Sequence, residues 1–217
     1  MIKEKNILLV TLFAIAMAYL ESAVVVYLRA MYGIENLLTD LNLTLDKYTF
    51  IEIGRETATI AMLAMIAVIS GNTKPKKIGY FFLSFGIWDI FYYIWLYIFI
   101  QWPKSLLEWD VLFLIPLPWW GPVIAPILIS ILLITVGYVL IKEVVFKIII
   151  FDWITISVCI TILLYTFVED SIRIIISGVG DLTSVKPTYF NWILFWISFI
   201  GWCLVSLKIF LPGFKRQ

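Results

Sequence analysis

Hydrophobic residues make up 63% of the 217-residue chain and charged residues 14%, with a mean hydropathy of +1.02. A water-soluble domain has about 45–50% apolar and about 25% charged residues, so this chain lacks the polar surface to cover a core in water. A formal net charge of +1 gives no basic field for nucleic acid, and the absence of histidine removes HExxH zinc sites, Ser-His-Asp triads and His-ligated haem.

A helix crosses the hydrocarbon core in about 20 apolar residues. Six runs of that length follow in order, at about 7–30, 49–70, 78–101, 121–141, 147–167 and 189–211. Backbone groups in lipid must be satisfied within the segment, and the alternation of a barrel strand is missing. The expectation is therefore an all-α fold: one integral membrane domain over 1–217, a polytopic helical bundle of six spans. The lipid bilayer is its first partner.

The first run opens with Lys3 and Lys5, continues as ILLVTLFAIAMA and reaches the triplet Ala16-Met17-Ala18, as a signal peptide would. Its apolar character resumes after Glu21 as SAVVVYL, which favours a full span over a cleaved leader. Next comes IENLLTDLNLTL, where Ile34, Leu37, Leu38, Leu41 and Leu45 recur at helical spacing and predict an interfacial helix. The second run starts TFIE over 49–52, a capping box in which Glu52 closes the helix start. After the third run, WPKSLLEWDVLFLIPLPWWGP has capping-box spacing at Ser105 and Glu108 and stops at Pro116 and Pro118, predicting an interfacial or re-entrant helix. Trp88, Trp95, Trp102 and Trp109 are spaced by seven, but Pro103 interrupts the register, so they are read as belt and packing residues. Cys159 and Cys203 sit in apolar runs and offer no CxxC motif.

Ten cations (Lys3, Lys5, Lys74, Lys76, Lys77, Lys142, Lys147, Lys208, Lys215 and Arg216) fall on one side of a six-span chain. Five (Arg29, Lys47, Lys104, Arg173 and Lys186) fall on the other, among eight acidic residues. The positive-inside rule then places both termini in the cytoplasm and the short extra helices outside.

Glu21, Glu52, Arg55, Glu56 and Asp89 lie well inside apolar runs of the first three spans. Asp152 lies close enough to the inner face to reach water. At about 1.5 Å of rise per residue, Glu21, Arg55 and Glu56 share one depth in the outer half of the bilayer. Asp89 lies about a turn deeper, while Tyr92 and Tyr93 return to that level. Asp110 is expected solvated on the outer helix, or at the cluster if that helix folds inward. Arg55 is the single cation for Glu21, Glu56 and Asp89, so two carboxylates are in surplus, or three with Glu52. An Asp near a helix centre costs roughly 2.5–3.5 kcal/mol on insertion scales. Protonation, a bound cation or a water-filled cavity would relieve that surplus.

The stretches WDIFYYIWL and WPKSLLEWDVLFLIPLPWWGPVIAP, with YLESAVVVYLR and EIGRETAT, resemble a pattern found in a family of small prokaryotic multipass membrane proteins. The resemblance covers roughly residues 18–130. It implies a helical bundle of the prokaryotic inner membrane and no particular chemistry.

Three functions fit these features. The first is a transporter-like or sensor protein that binds or translocates a small cation or protons. Glu21, Glu56 and Asp89 would be its ligands or proton carriers, Arg55 the fixed counter-charge, and Tyr92 or Tyr93 orienting donors. All-oxygen ligation favours a hard ion such as Mg²⁺, Ca²⁺ or Mn²⁺. The second is an accessory subunit whose polar cluster fixes helix packing. The third is an intramembrane enzyme acting on a lipid or isoprenoid through paired carboxylates, although no aspartate-rich metal motif, P-loop or GxSxG elbow is present.

Overall fold

The computed structural model describes residues 2–40, 47–142, 147–177, 187 and 189–214. Helix α1 spans Ile2–Tyr32, α2 Leu37–Asp40, α3 Lys47–Ser70 and α4 Lys74–Ile100. Strands β1 (Trp109–Val111) and β2 (Trp120–Pro122) follow, then α5 (Ile124–Ile141), α6 (Ile150–Ser177) and α7 (Trp192–Phe214). Six helices are long and apolar enough to cross a membrane: all but α2. Their exposed residues are large and apolar, among them Leu8, Leu12, Leu20, Met65, Ile69, Ile98, Ile154, Ile197 and Leu204. Such a surface suits lipid as solvent.

Local chemistry sets the ends of these helices. At the end of α1, Gly33 takes the left-handed conformation (φ 64°), and the Ile34 N–H donates to the Arg29 carbonyl at 2.8 Å. A side chain would resist that backbone, and glycine adopts it freely. Thr73 is extended before α4, and proline at the helix start follows it. Helix α4 stops at Gln101, itself left-handed (φ 55°), two residues before Pro103.

Helix α4 is the centre of the bundle, packed against α1, α3 and α5, while α7 joins α5 to α6. The α4–α5 seam is built on small residues. A Cβ added at Gly79 would lie 2.8 Å from the Gly137 carbonyl oxygen, and one at Gly86 would lie 2.6 Å from that of Ser130. Gly79 and Gly86 are seven apart on α4, as Ser130 and Gly137 are on α5, so each pair lies on one helical face and lets the backbones touch. Around α5, α6 and α7 a larger core forms from Leu132, Val136, Leu163, Phe167, Phe195 and Trp202.

Within the described part of the segment 34–45, Leu37–Asp40 is helical; 41–46 lie outside the described residues. The segment 102–120 is not a helix. Ser105 and Glu108 do form a turn, though with other bonds than a capping box: the Leu107 N–H donates to Ser105 Oγ, the Lys104 N–H donates to Glu108 Oε1, and the Glu108 N–H donates to the Ser105 carbonyl. The chain then leaves helical geometry and enters an antiparallel hairpin, with Asp110 opposite Gly121. Pro116 and Pro118 lack the N–H groups a continuing helix would need. The hairpin satisfies the flanking backbone instead, through Leu112 N–H to Trp119 O (2.9 Å) and Val123 N–H to Glu108 O (2.9 Å). It is pinned to α6 by Ser171, whose hydroxyl donates to the Pro118 carbonyl at 2.7 Å.

The helices therefore have two ends. One, the hairpin end, carries β1 and β2; the other, the turn end, carries the short α3–α4 connection over 71–73.

Candidate functional site

At the hairpin end, α1, α3, α4 and the hairpin enclose a partly open cavity of about 400 Å³. All eight polar candidates from the sequence line it: Glu21, Glu52, Arg55, Glu56, Asp89, Tyr92, Tyr93 and Asp110. Arg29 and Asp40 join them.

Arg55 lies in ion-pair contact with Glu21 across the α1–α3 interface. It also holds Glu52, one turn away on its own helix, through Nη2 at 2.6 Å and Nε at 2.8 Å. Glu52 therefore acts as an arginine partner rather than a helix cap; α3 begins at Lys47, ahead of the TFIE box. Thr59 donates its hydroxyl to the second oxygen of Glu21 at 2.9 Å. Glu56, one residue beyond Arg55, turns instead to the hairpin and accepts the Leu114 N–H with both oxygens at 3.0 Å.

Asp89 lies on α4 one turn from Gly86, where the α5 backbone comes close. There it accepts the Ser130 hydroxyl at 2.8 Å, in a site where both side chains are buried. No lysine or arginine lies within ion-pair distance of Asp89 among the described residues.

Asp110 is not solvated: it is 2% exposed, on β1, where the hairpin folds it back over the cavity. Its partner is Arg29, at 3.8 Å, whose guanidinium stacks 4.0 Å over the Trp102 ring. Burial pushes the Asp110 carboxyl up to about 6, against the opposing pull of the Arg29 charge, the Tyr93 hydroxyl and the Val111 N–H. The Tyr93 hydroxyl is near enough to exert that pull yet makes no hydrogen bond of good geometry.

Sequence reasoning placed Arg29 among the outer-loop cations, but α1 continues past it to Tyr32 and Arg29 is 8% exposed. A signal was present. Ser22 and Arg29 are seven apart and so share a helical face, and Ser22 donates to the Tyr92 carbonyl of α4 at 3.0 Å. Asp40 is engaged at the rim, where it accepts the N–H groups of Glu35 (3.0 Å) and Asn36 (2.7 Å).

Asp152, expected to reach water, is instead buried at the turn end beneath Lys208, with which it pairs, and it accepts the Ile149 N–H at the start of α6.

The cavity thus holds six carboxylates against two guanidinium groups. Discounting Asp40 at the rim leaves five against two. No group of three carboxylates among the described residues is close enough to hold a metal ion. Aliphatic side chains and aromatic rings form the rest of the wall; among the rings, Trp88 stacks with Tyr92 at 6.4 Å, and Tyr92 meets Tyr93 edge-on at 5.0 Å. Comparison of the chain with protein-family models, with curated proteins and with solved structures gives no match.

Proposed function

We propose that the protein binds a small cation or protons in this cavity, as a transporter or sensor of a prokaryotic inner membrane would. The charge imbalance carries the reading. Two arginines face four buried carboxylates and the half-buried Glu52, and a surplus of three negative charges at membrane depth is costly unless something positive offsets it. A bound cation or bound protons would do so. The excess of Lys and Arg in the segments at the turn end supports a cytoplasmic turn end and an outward-facing cavity.

A second reading has its own support. Asp89 is tied to Ser130, Glu56 to Leu114, and Arg55 to two carboxylates, so the cluster also fastens α1, α3, α4, α5 and the hairpin to one another. An accessory scaffold would need no more than that.

Thermal stability in detergent separates the two, with wild type compared against Asp89→Asn from about pH 5 to 9, with and without added cations. The cation reading expects one ion, or a narrow pH window, to stabilise the wild type alone. A variant that is simply weaker, with neither protein responding to ions or pH, leaves the scaffold reading.

A further inference from the structure

The cavity can be asked what shape of cation it fits. A bare divalent ion needs several oxygens converging at about 2.0–2.6 Å. Here the carboxylates are held apart by their own partners: Glu21 by Arg55 and Thr59, Glu56 by the Leu114 amide, Asp89 by Ser130. Their charges face a space of about 400 Å³, within the range of about 300–1,000 Å³ typical of small-molecule sites. The contiguous rings of Trp88, Tyr92 and Tyr93 supply the surface on which a weakly hydrated organic cation is held.

Five buried polar atoms of cavity-lining residues also make no hydrogen bond: Arg29 Nε, Arg55 Nη1 (which faces Glu21 in an ion pair), Trp88 Nε1, Tyr93 Oη and Asp110 Oδ2. Asp110 is 2% exposed and its Oδ2 accepts no hydrogen bond; Trp88 is 5% exposed and its Nε1–H donates none. Buried groups of this kind are costly when left unsatisfied. Asp110 Oδ2 is an anionic acceptor, while Trp88 Nε1 and Arg29 Nε are donors that an oxygen of the same ligand would satisfy, so together they ask for a ligand with a positive charge and an oxygen.

Resting on the cation-site reading above, we propose that the cavity receives a small organic ammonium ion bearing a hydroxyl or carbonyl oxygen, of the chemistry shared by choline and ethanolamine. The ammonium lies against the aromatic wall with Asp110 and Asp89 as counter-charges, and the oxygen accepts the Trp88 N–H. The same chemistry occurs in free amino alcohols and in phospholipid headgroups.

Calorimetric titration of the full chain tests this, in nanodiscs of phosphatidylglycerol, with choline, ethanolamine, tetramethylammonium, Na⁺, Mg²⁺ and Ca²⁺ as probes. Choline or ethanolamine should give saturable binding, and Asp110→Asn should weaken it at least about tenfold, the loss of one charge-assisted contact. Trp88→Phe keeps an aromatic ring and removes the N–H. It should weaken choline more than tetramethylammonium, which has no oxygen; a folding defect would weaken both alike. Competition by phosphatidylethanolamine nanodiscs would identify the headgroup as the source, and its absence the free amino alcohol. Binding of Mg²⁺ or Ca²⁺ but of no ammonium overturns the ligand class and leaves the cation site standing. Choline binding unchanged in both Asp110→Asn and Trp88→Phe places the ligand elsewhere and overturns the proposal. Failure of every probe to bind overturns it together with the cation reading.

Discussion

Arg55 decides how much charge α1 and α3 can bury together. Removing one partner of a buried ion pair costs on the order of 3–5 kcal/mol, because the other is left uncompensated. Arg55 keeps 20% of its side chain exposed, so Arg55→Gln should fall at the lower end of that range in thermal or denaturant unfolding. The double variant Glu21→Gln/Arg55→Gln should recover part of the loss, and a coupling near zero in that cycle would mean the pair contributes nothing. Asp110 carries a pH signature. Its carboxyl titrates near 6 in the fold against an ordinary value of 3.8, so the folded state binds more protons than the unfolded state between those values. Stability contributed at Asp110 therefore falls as pH rises from about 4 to 6, and stays reduced at neutral pH. In the ligand-free protein, wild-type stability should drop relative to Asp110→Asn across that window, whatever constant penalty the variant pays for leaving Arg29 unpaired.

The α4–α5 seam holds Asp89 in place. Adding a methyl at Gly86 drives it into the Ser130 carbonyl, and overpacking of this kind costs about 1–3 kcal/mol. Gly86→Ala should therefore lower thermal stability and weaken cation binding, because Ser130 is also the donor to Asp89. Gly54→Ala is the matched control. Nothing lies within 4 Å of the added carbon on exposed α3, and alanine favours helix over glycine by about 1 kcal/mol, so stability should hold or rise. These elements differ in how plainly the sequence announces them. The six long helices were legible because length and hydropathy alone decide whether a segment crosses. The hairpin was not, because each strand has three residues and the Ser105–Glu108 spacing that suggests a helix start does form one turn. Glu21, Arg55 and Glu56 were legible as a group because these charges inside apolar runs share a depth, with Asp89 about a turn deeper. Arg29 was hidden at a helix end, where a buried cation and a loop cation read alike, and Asp110 depended on how the hairpin folds.

Across the whole molecule, polar cavity and apolar bulk are segregated: the site lies among α1, α3, α4 and the hairpin, while α6 and α7 close on an aromatic core of Phe167, Phe190, Phe195 and Trp202. The proposed orientation is open to a labelling test with single cysteines in a Cys159→Ser/Cys203→Ser background. Glu108→Cys, in the turn that precedes β1, should react with an impermeant maleimide in intact cells; Asn72→Cys, in the α3–α4 connection, should react only after permeabilisation. The reverse pattern would turn the cavity toward the cytoplasm. A cation entering beside Asp110 must favour its charged form, so binding and proton loss are linked. The decisive measurement is proton release on cation binding, followed in weakly buffered solution near pH 6 with choline, Na⁺ and Mg²⁺ added in turn. One cation should release a fraction of a proton, at most about half for a single carboxyl at its midpoint, and Asp110→Asn should abolish the release. If no cation binds and none releases protons between about pH 5 and 8, the surplus carboxylates are neutralised within the protein, and the cavity is packing rather than a site.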